Sequence, residues 1–475
     1  MPGSNFLKKI SLKLKVKNQV DDARGRYLIH KQQYKNILIS NAPFVFTCDA
    51  NNQIKIFKNH SIIIENGIIK EVELAKKIKN KNQFDLVYDA GKRGGTVITP
   101  GFINAHAHIH MYLMRSAMML DEGAEIDKAI FDMAAWQRHE GEEAQCVASI
   151  GDLTEEQKNG ITSTLTHGPS FETGEYGARL TCHNLINAVS AISNSRPTNT
   201  PEAIETLLAQ KLNTHSQIAL SLHYLYKANA QTLRKVQKII DKHKLLFTCH
   251  LAENDVVRDK CLRRFGMREV DLLEKYDLLN HRTLLSHVVS VNKNDIRKLA
   301  RAHAGIVHLP TSNTIHKSGI FPFWEFYAQE GFDRMALGTD SVVSKSRLDI
   351  LIEAYQTRLT HLFSKTVKFS DLFRMMTVNG ARVLNLSNVG RLVSGQKADL
   401  AFWKLKDRGF IPYDAGNPIT LLGNIITHSG RTVRDLMIGG KFVIKNRRHQ
   451  LINESKLLEV LQKYHMQVRR KIERG

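Results

Sequence analysis

The sequence predicts an α/β protein whose middle is a parallel sheet or barrel and whose two β-rich ends combine into a small flanking domain. Three observations carry this reading. Apolar strand-like runs alternate with helix-like segments between residues 97 and 386, short strands crowd into residues 36–96, and strand signals return after Gly390. Alternation of strand and helix favours parallel pairing, because each crossover returns the chain to the same end of the sheet. The chain of 475 residues is long enough for two or three domains.

Taken in order, residues 1–35 form a basic arm in which Lys8, Lys9, Lys13, Lys15 and Lys17 alternate with leucine and isoleucine. The arm lacks a continuous apolar core and a small-residue cleavage site, so it reads as solvated chain and not as a secretory signal. Short strands are expected at 36–40, 54–57, 61–65, 68–72 and 86–89, with Asn51-Asn52 and Asn66-Gly67 as turns. The central segment, 97–389, supplies strand-like runs at 161–165, 217–222, 245–251, 283–288, 305–309 and 334–338. Beyond it, strands are expected at 399–405, 433–438 and 441–444, the last two joined by Gly439-Gly440. Residues 36–96 and 390–446 then make the composite β domain, and 447–475 a basic C-terminal helix.

Composition narrows the function classes. Hydrophobic residues make up 42% and charged residues 24%, and no apolar stretch is long enough to span a bilayer. The net charge is +22, from 68 Lys and Arg against 46 Asp and Glu. These charges are spread along the chain without interleaved aromatics, which argues against nucleic acid as the main partner. Five cysteines, odd in number and without C-x-x-C spacing, suit reduced thiols and a cytoplasmic protein.

The chemistry is signalled at strand ends. Asn104-Ala105-His106-Ala107-His108-Ile109-His110 places alternate imidazoles on one face of a strand, half of the first shell of a divalent transition metal. The run 245–251 contains His250, with Glu253 three residues later; 283–288 contains His287; and 334–338 leads to Asp340. Each of these alone reads as a cap or a satisfied core group. Their recurrence points to a shared site, since a barrel gathers the carboxyl ends of its strands at one face.

Thr-Pro-Gly-Phe-Ile-Asn-Ala-His-Ala-His at 99–108, His-Leu-Ala-Glu at 250–253, Leu-Ser-His at 285–287, Pro-Thr-Ser-Asn at 310–313, Leu-Gly-Thr-Asp-Ser at 337–341 and Gly-Gln-Lys-Ala-Asp-Leu at 395–400 together resemble the amidohydrolase superfamily. More narrowly, they resemble its aminohydrolase and chlorohydrolase branch, which includes adenosylhomocysteine and methylthioadenosine deaminases and triazine hydrolases. The resemblance covers roughly 36–446. It implies a distorted (β/α)8 barrel of TIM type with a β-sandwich built from both chain ends. It also implies one divalent metal ion, zinc, with iron or manganese compatible with the same donors.

By the same resemblance His106, His108, His250 and Asp340 are the metal ligands. Glu253 is the proton shuttle, and His287 polarises the attacked centre or hydrogen-bonds the water. Asp340 accepts the water proton, and Glu253 protonates a ring nitrogen and then the leaving group. A binuclear variant would need a bridging group such as a carboxylated lysine, for which Lys227 is the nearest candidate; an ordinary surface lysine is the prevailing reading. His223, Arg115 and Asn313 are the expected substrate contacts.

Several positions depart from the family. Met111 stands where guanine deaminases carry Gln, which disfavours guanine, whereas 108–115 resembles the His-x-x-Met-x-Leu-x-Arg run of the adenosylhomocysteine and triazine branch. Ser221-Leu222-His223-Tyr224 matches the branch's Pro-His-x-x-Tyr only in part, with Tyr226 at the expected tyrosine. His110 is read as a bystander, and 118–145 matches no substrate-binding pattern. The expected function is a metal-dependent hydrolase that deaminates a purine-like or other nitrogen heterocycle, with a homodimer as the common assembly of such enzymes. The alternatives are cleavage of a C–Cl, C–N(alkyl) or cyclic amide bond of a triazine-like substrate, or an inactive metal-binding or basic nucleic-acid scaffold. Retention of Glu253 and Asp340 argues against the scaffold.

Overall fold

Eight parallel strands form the centre of the computed structural model: Phe102–Ala107 (β1), Ile161–Gly168 (β2), Asn184–Ser190 (β3), Gln217–Tyr224 (β4), Phe247–Leu251 (β5), Thr283–His287 (β6), Gly305–His308 (β7) and Met335–Leu337 (β8). The structure describes residues 4–15, 19–21, 28–30, 34–115, 133, 135–192, 200–210, 214–329, 331–428 and 433–474. The strands pair in chain order from β1 to β8. The ring closes where Ala107 bridges Asp340 in parallel and the Asp340 N–H donates to the His106 carbonyl at 2.9 Å. The molecule is therefore a (β/α)8 barrel. Ile103, Ala105, Leu165, Ile186, Ala188, Ala219, Leu284, Val307 and Ala336, from seven of the strands, form one apolar cluster with Ala381 and Val383. Such layered side chains fill a barrel of this size and leave no pore.

The helices between strands are held by local chemistry. Asn229 caps Ala230–His243, and that helix buries Leu233, Val236, Ile239 and Ile240, one apolar stripe at helical spacing. Asn254 caps Asp255–Phe265, and Asn292 with Asp295 forms a capping box on Lys293–Arg301. Strand β3 was absent from the sequence expectation because Asn184, Asn187 and Ser190 break its apolar run. Asn187 is nevertheless buried, with its Nδ2 donating to the Phe171 carbonyl at 2.8 Å.

Both chain ends contribute to a single nine-stranded mixed sheet. The two expected strands at 54–57 and 61–65 are one, Ile54–Glu65, and the strand expected at 36–40 runs on through Asn36–Cys48. Asn41 explains the error, since it takes a left-handed conformation at φ 56°. The ladder between these two strands shifts register there, between Ile39 and Ala42. Such a bulge bends the strand without ending it. One face of the sheet closes over Ile39, Ile62, Ile98, Leu400, Phe402 and Met437. The alternate residues Phe44, Phe46, Val97, Ala401, Trp403 and Leu436 share a core with Cys146, Val147 and Ile150 of the helix Glu142–Lys158.

The N-terminal arm corrects the solvated reading where it is described. It forms the helix Ser4–Lys13, buries Ile10 and Leu14, and places Lys13 Nζ 2.6 Å from Glu143 and 2.7 Å from Tyr464 Oη. Ile10 and Leu14 stand four residues apart, on one side of the turn, and give the arm an apolar side to bury while Leu12 stays exposed. Tyr464 lies on the C-terminal helix Glu454–Arg474, which buries Leu457, Val460, Leu461 and Val468. Among the described residues, no helix is long and apolar enough to cross a membrane.

Ring closure depends on a residue without a side chain. A Cβ on Gly338 would lie 2.8 Å from His106 Cβ and 3.0 Å from the His106 backbone nitrogen. Gly338→Ala is therefore expected to lower the unfolding free energy by about 1–3 kcal/mol in urea titrations, the usual cost of overpacking. It should also displace His106.

Candidate metal centre and active site

Four barrel strands end in the side chains expected to meet, and they do. His106 and His108 close β1, His250 lies near the end of β5, His287 ends β6, and Asp340 follows β8. His106 Nε2 is 3.7 Å and His108 Nε2 3.5 Å from Asp340 Oδ1. Donor atoms of His106, His108 and Asp340 lie within 4.8 Å of one another, as do those of His106, His250 and His287. His106 is common to both groups and is fully buried.

The backbone is strained at this face. Ala252, His287, Val288 and Asp340 have φ of 45°, 70°, 51° and 59°. Left-handed non-glycine residues cost energy and persist where the surroundings over-determine them, a pattern that gathers at active sites.

Hydrogen bonds orient the donors. His250 Nδ1 donates to the His223 carbonyl at 2.9 Å, His106 Nδ1 pairs with Ser286 Oγ at 2.7 Å, and His287 Nδ1 donates to Asn313 Oδ1 at 2.8 Å. Each bond engages Nδ1 and aims Nε2 inward, and the acceptor oxygens on His250 and His287 leave Nε2 with its lone pair, the usual support for a metal-ligating histidine. Asp340 is held by Ser312 Oγ at 2.5 Å and by the Ser341 N–H at 2.7 Å. His106 Nε2 has no hydrogen-bond partner although it is buried, and a buried polar atom left bare costs free energy unless something binds it. The donor set and this bare nitrogen fit a divalent cation.

Charge states agree with that fit. Burial holds the imidazoles of His106, His108, His167, His223 and His250 below the usual histidine range, His108 at about 3. Neighbouring imidazoles push His108, His167, His223 and His250 further in the same direction. Burial works to raise the Asp340 carboxyl, but the adjacent imidazole of His106, with those of His108 and His287, outweighs it and holds the group well below the carboxylate range. Neutral imidazoles and an ionised carboxylate are the forms that bind metal.

Glu253 stands on the loop after His250 and accepts a 2.7 Å hydrogen bond from Tyr224 Oη. Burial, and then the Glu253 charge, raise the Tyr224 phenol, so it stays a donor. Tyr226, at the tyrosine position of the motif, stacks on Tyr224 with centroids 5.3 Å apart. Tyr224→Phe is expected to lower kcat about tenfold with KM little changed, the size of one hydrogen bond to a charged group, in steady-state kinetics.

The remaining expectations divide. The His223 ring stacks on His250 at 4.3 Å, at the edge of the cluster. Asn313 keeps its buried Nδ2 without a hydrogen-bond partner. Arg115, expected at the substrate, instead pairs with Glu155, donates to the Ser346 carbonyl and covers the Tyr112 ring at 4.4 Å. Its guanidinium is drawn to a half-buried carboxylate. Lys227 is exposed, with Nζ 5.3 Å from the centre of the Tyr224 ring. His110 lies in the 3₁₀ helix Ile109–Met114, where the strand alternation has ended, and Met111 accepts a 3.7 Å contact from Ser341 Oγ. His167 was missed, although it follows the 161–165 run in the manner of the other strand-end histidines. Its ring is 4.7 Å from His106 and 5.0 Å from His250.

Comparison with known proteins agrees with this architecture. Residues 97–443 match the profile described as "Amidohydrolase family". A 5-methylthioadenosine/S-adenosylhomocysteine deaminase of Pyrococcus furiosus is 28% identical over 410 residues, covering 84% of this chain and 94% of the relative. An 8-oxoguanine deaminase of Pseudomonas aeruginosa is 27% identical over 387 residues, covering 74% and 82%. Among solved structures, an atrazine chlorohydrolase from Arthrobacter aurescens complexed with zinc superposes with a TM-score of 0.80 at 18% identity, covering 90% of this chain and 100% of that one. An adenosine deaminase from Xanthomonas campestris with bound zinc gives 0.81 at 19% identity, covering 91% and 98%. At such identities the solved structures speak for the fold. The family profile spans well over half of the sequence and encloses every strand-end donor, and the chain belongs to the amidohydrolase family.

Proposed function

We propose that this protein is a zinc-dependent aminohydrolase that removes an exocyclic amino group, as ammonia, from a purine-like or other nitrogen heterocycle. The observation that carries the reading is the conjunction of a neutral-imidazole and carboxylate donor set with a second carboxylate, Glu253, held by Tyr224 on the adjoining loop. The likeness to relatives named as deaminases supports the same reaction. In it one water is consumed, a C–NH2 bond is exchanged for C=O, and one ammonia leaves.

His106, His108, His250 and Asp340 would hold the cation, which when bound supplies Lewis acidity that lets water ionise near neutral pH. Asp340, ionised in its buried setting, accepts the proton of the attacking water. His287, with Nδ1 committed to Asn313, offers Nε2 as an acceptor to that water. The proton taken up by Asp340 passes to Glu253, which gives it to the ring nitrogen; Glu253 then takes the proton of the new hydroxyl as C=O forms and gives it to the departing amine. The free Nδ2 of Asn313 and the His223 ring offer the substrate a donor and a stacking face. The five buried, unpaired cysteines suit a reducing, cytoplasmic setting.

An ammonia-release screen of zinc-loaded protein against nucleosides, adenosylhomocysteine-like thioethers, pterins and triazines tests the reading. Ammonia from at least one class supports it. Release of chloride or alkylamine alone would replace deamination by the triazine-type reaction, and no release of any kind would end the enzymatic reading.

A further inference from the structure

Glu253 follows a residue whose backbone does not favour its own conformation. Ala252 has φ 45°, in the left-handed region that an L-alanine avoids. Both of its peptide groups are tied down. Its carbonyl accepts from the Val289 and Ser290 N–H groups at 3.1 and 2.8 Å, and its own N–H donates to Glu269 Oε2 at 2.7 Å.

Glu269 is an expensive acceptor. It is 1% exposed, has no salt bridge among the described residues, and leaves Oε1 without a hydrogen-bond partner. Burial pushes its carboxyl up to about 8. A buried, half-satisfied carboxyl is a poor choice for stability alone. What it holds is the N–H of the residue before Glu253. We infer that Glu269 is a positioning residue: it fixes the left-handed turn at Ala252 and so aims Glu253, while Tyr224 holds the Glu253 carboxylate itself. The inference rests on the reading of Glu253 as the proton-transfer group.

Two variants of the full-length, zinc-loaded protein test it. Glu269→Gln keeps a side-chain oxygen for the Ala252 N–H, and Glu269→Leu removes it. The expected result for Glu269→Leu is faster hydrogen exchange at the Ala252 amide, unchanged zinc content, and kcat lower by about 10- to 100-fold with KM within about twofold, as for a displaced catalytic group. Glu269→Gln should restore exchange protection and bring kcat back to within about threefold of wild type. Wild-type exchange and kcat in Glu269→Leu would overturn the inference, as would loss of zinc together with kcat, or a Gln variant as impaired as the Leu variant. If Glu269→Leu does not fold, Glu269→Asp, one methylene short of the amide, replaces it with the same expected and overturning results. If the wild-type protein releases no ammonia from any substrate, the deaminase reading fails on its own, and exchange at Ala252 alone then decides: protection lost in Leu and kept in Gln upholds the positioning role, and unchanged protection overturns it.

Discussion

Glu253→Gln is expected to slow ammonia release by about 10³-fold while zinc content and unfolding free energy stay at wild-type values. The magnitude is that of a positioned general acid–base group, whose contribution runs from about 10² to 10⁴. The amide has the same shape and still accepts from Tyr224 Oη, so the 2.7 Å contact that anchors the side chain survives. What disappears is the exchangeable proton needed twice, once at the ring nitrogen and once at the leaving amine. Single-turnover rates beside metal analysis separate the two effects. A loss smaller than tenfold would remove Glu253 from the mechanism.

His106→Ala should have the larger consequence: zinc content well below one per chain and turnover reduced by about 10⁴-fold, the rate equivalent of several kcal/mol of lost charge stabilisation. His106 belongs to both donor groups, is fully buried, and carries the bare Nε2. Exhaustive chelation of the wild-type protein should reproduce the defect, and added zinc should reverse it there but not in the variant. His110→Asn supplies the contrast, since a residue of the same chemistry two positions past His108 should leave zinc content unchanged. If both substitutions empty the site equally, the assignment of ligands along this segment is wrong.

Much of the barrel was legible because its signals are local. Six apolar runs between 161 and 338 became strands, since a buried parallel strand needs only a short β-favouring stretch bounded by breaks. Strand β3 escaped notice because Asn187 satisfies its amide against a distant carbonyl at Phe171, and no local pattern records such a partner. The long bent strands were cut short for a similar reason, the break at Asn41 being a bulge whose continuation depends on neighbouring strands. Arg115, whose place in a motif points to the substrate, also pairs with Glu155, a carboxylate 40 residues away that lies beside it in space and that no local pattern records.

By itself the sequence determined the donors: imidazole or carboxylate at His106, His108, His250, His287 and Asp340, each at a strand end, because residue type and strand phase belong to the chain alone. The tertiary structure decided which of them share a centre and how they face it. Closure of β8 on β1 brings Asp340 to His106, the His223 carbonyl sets the His250 tautomer, Ser286 orients the His106 ring, and Tyr224 and Glu269 fix the loop that carries Glu253. The cause is range: side-chain chemistry and period are written within a few residues, whereas orientation at the site comes from contacts between segments that meet only when the ring has closed.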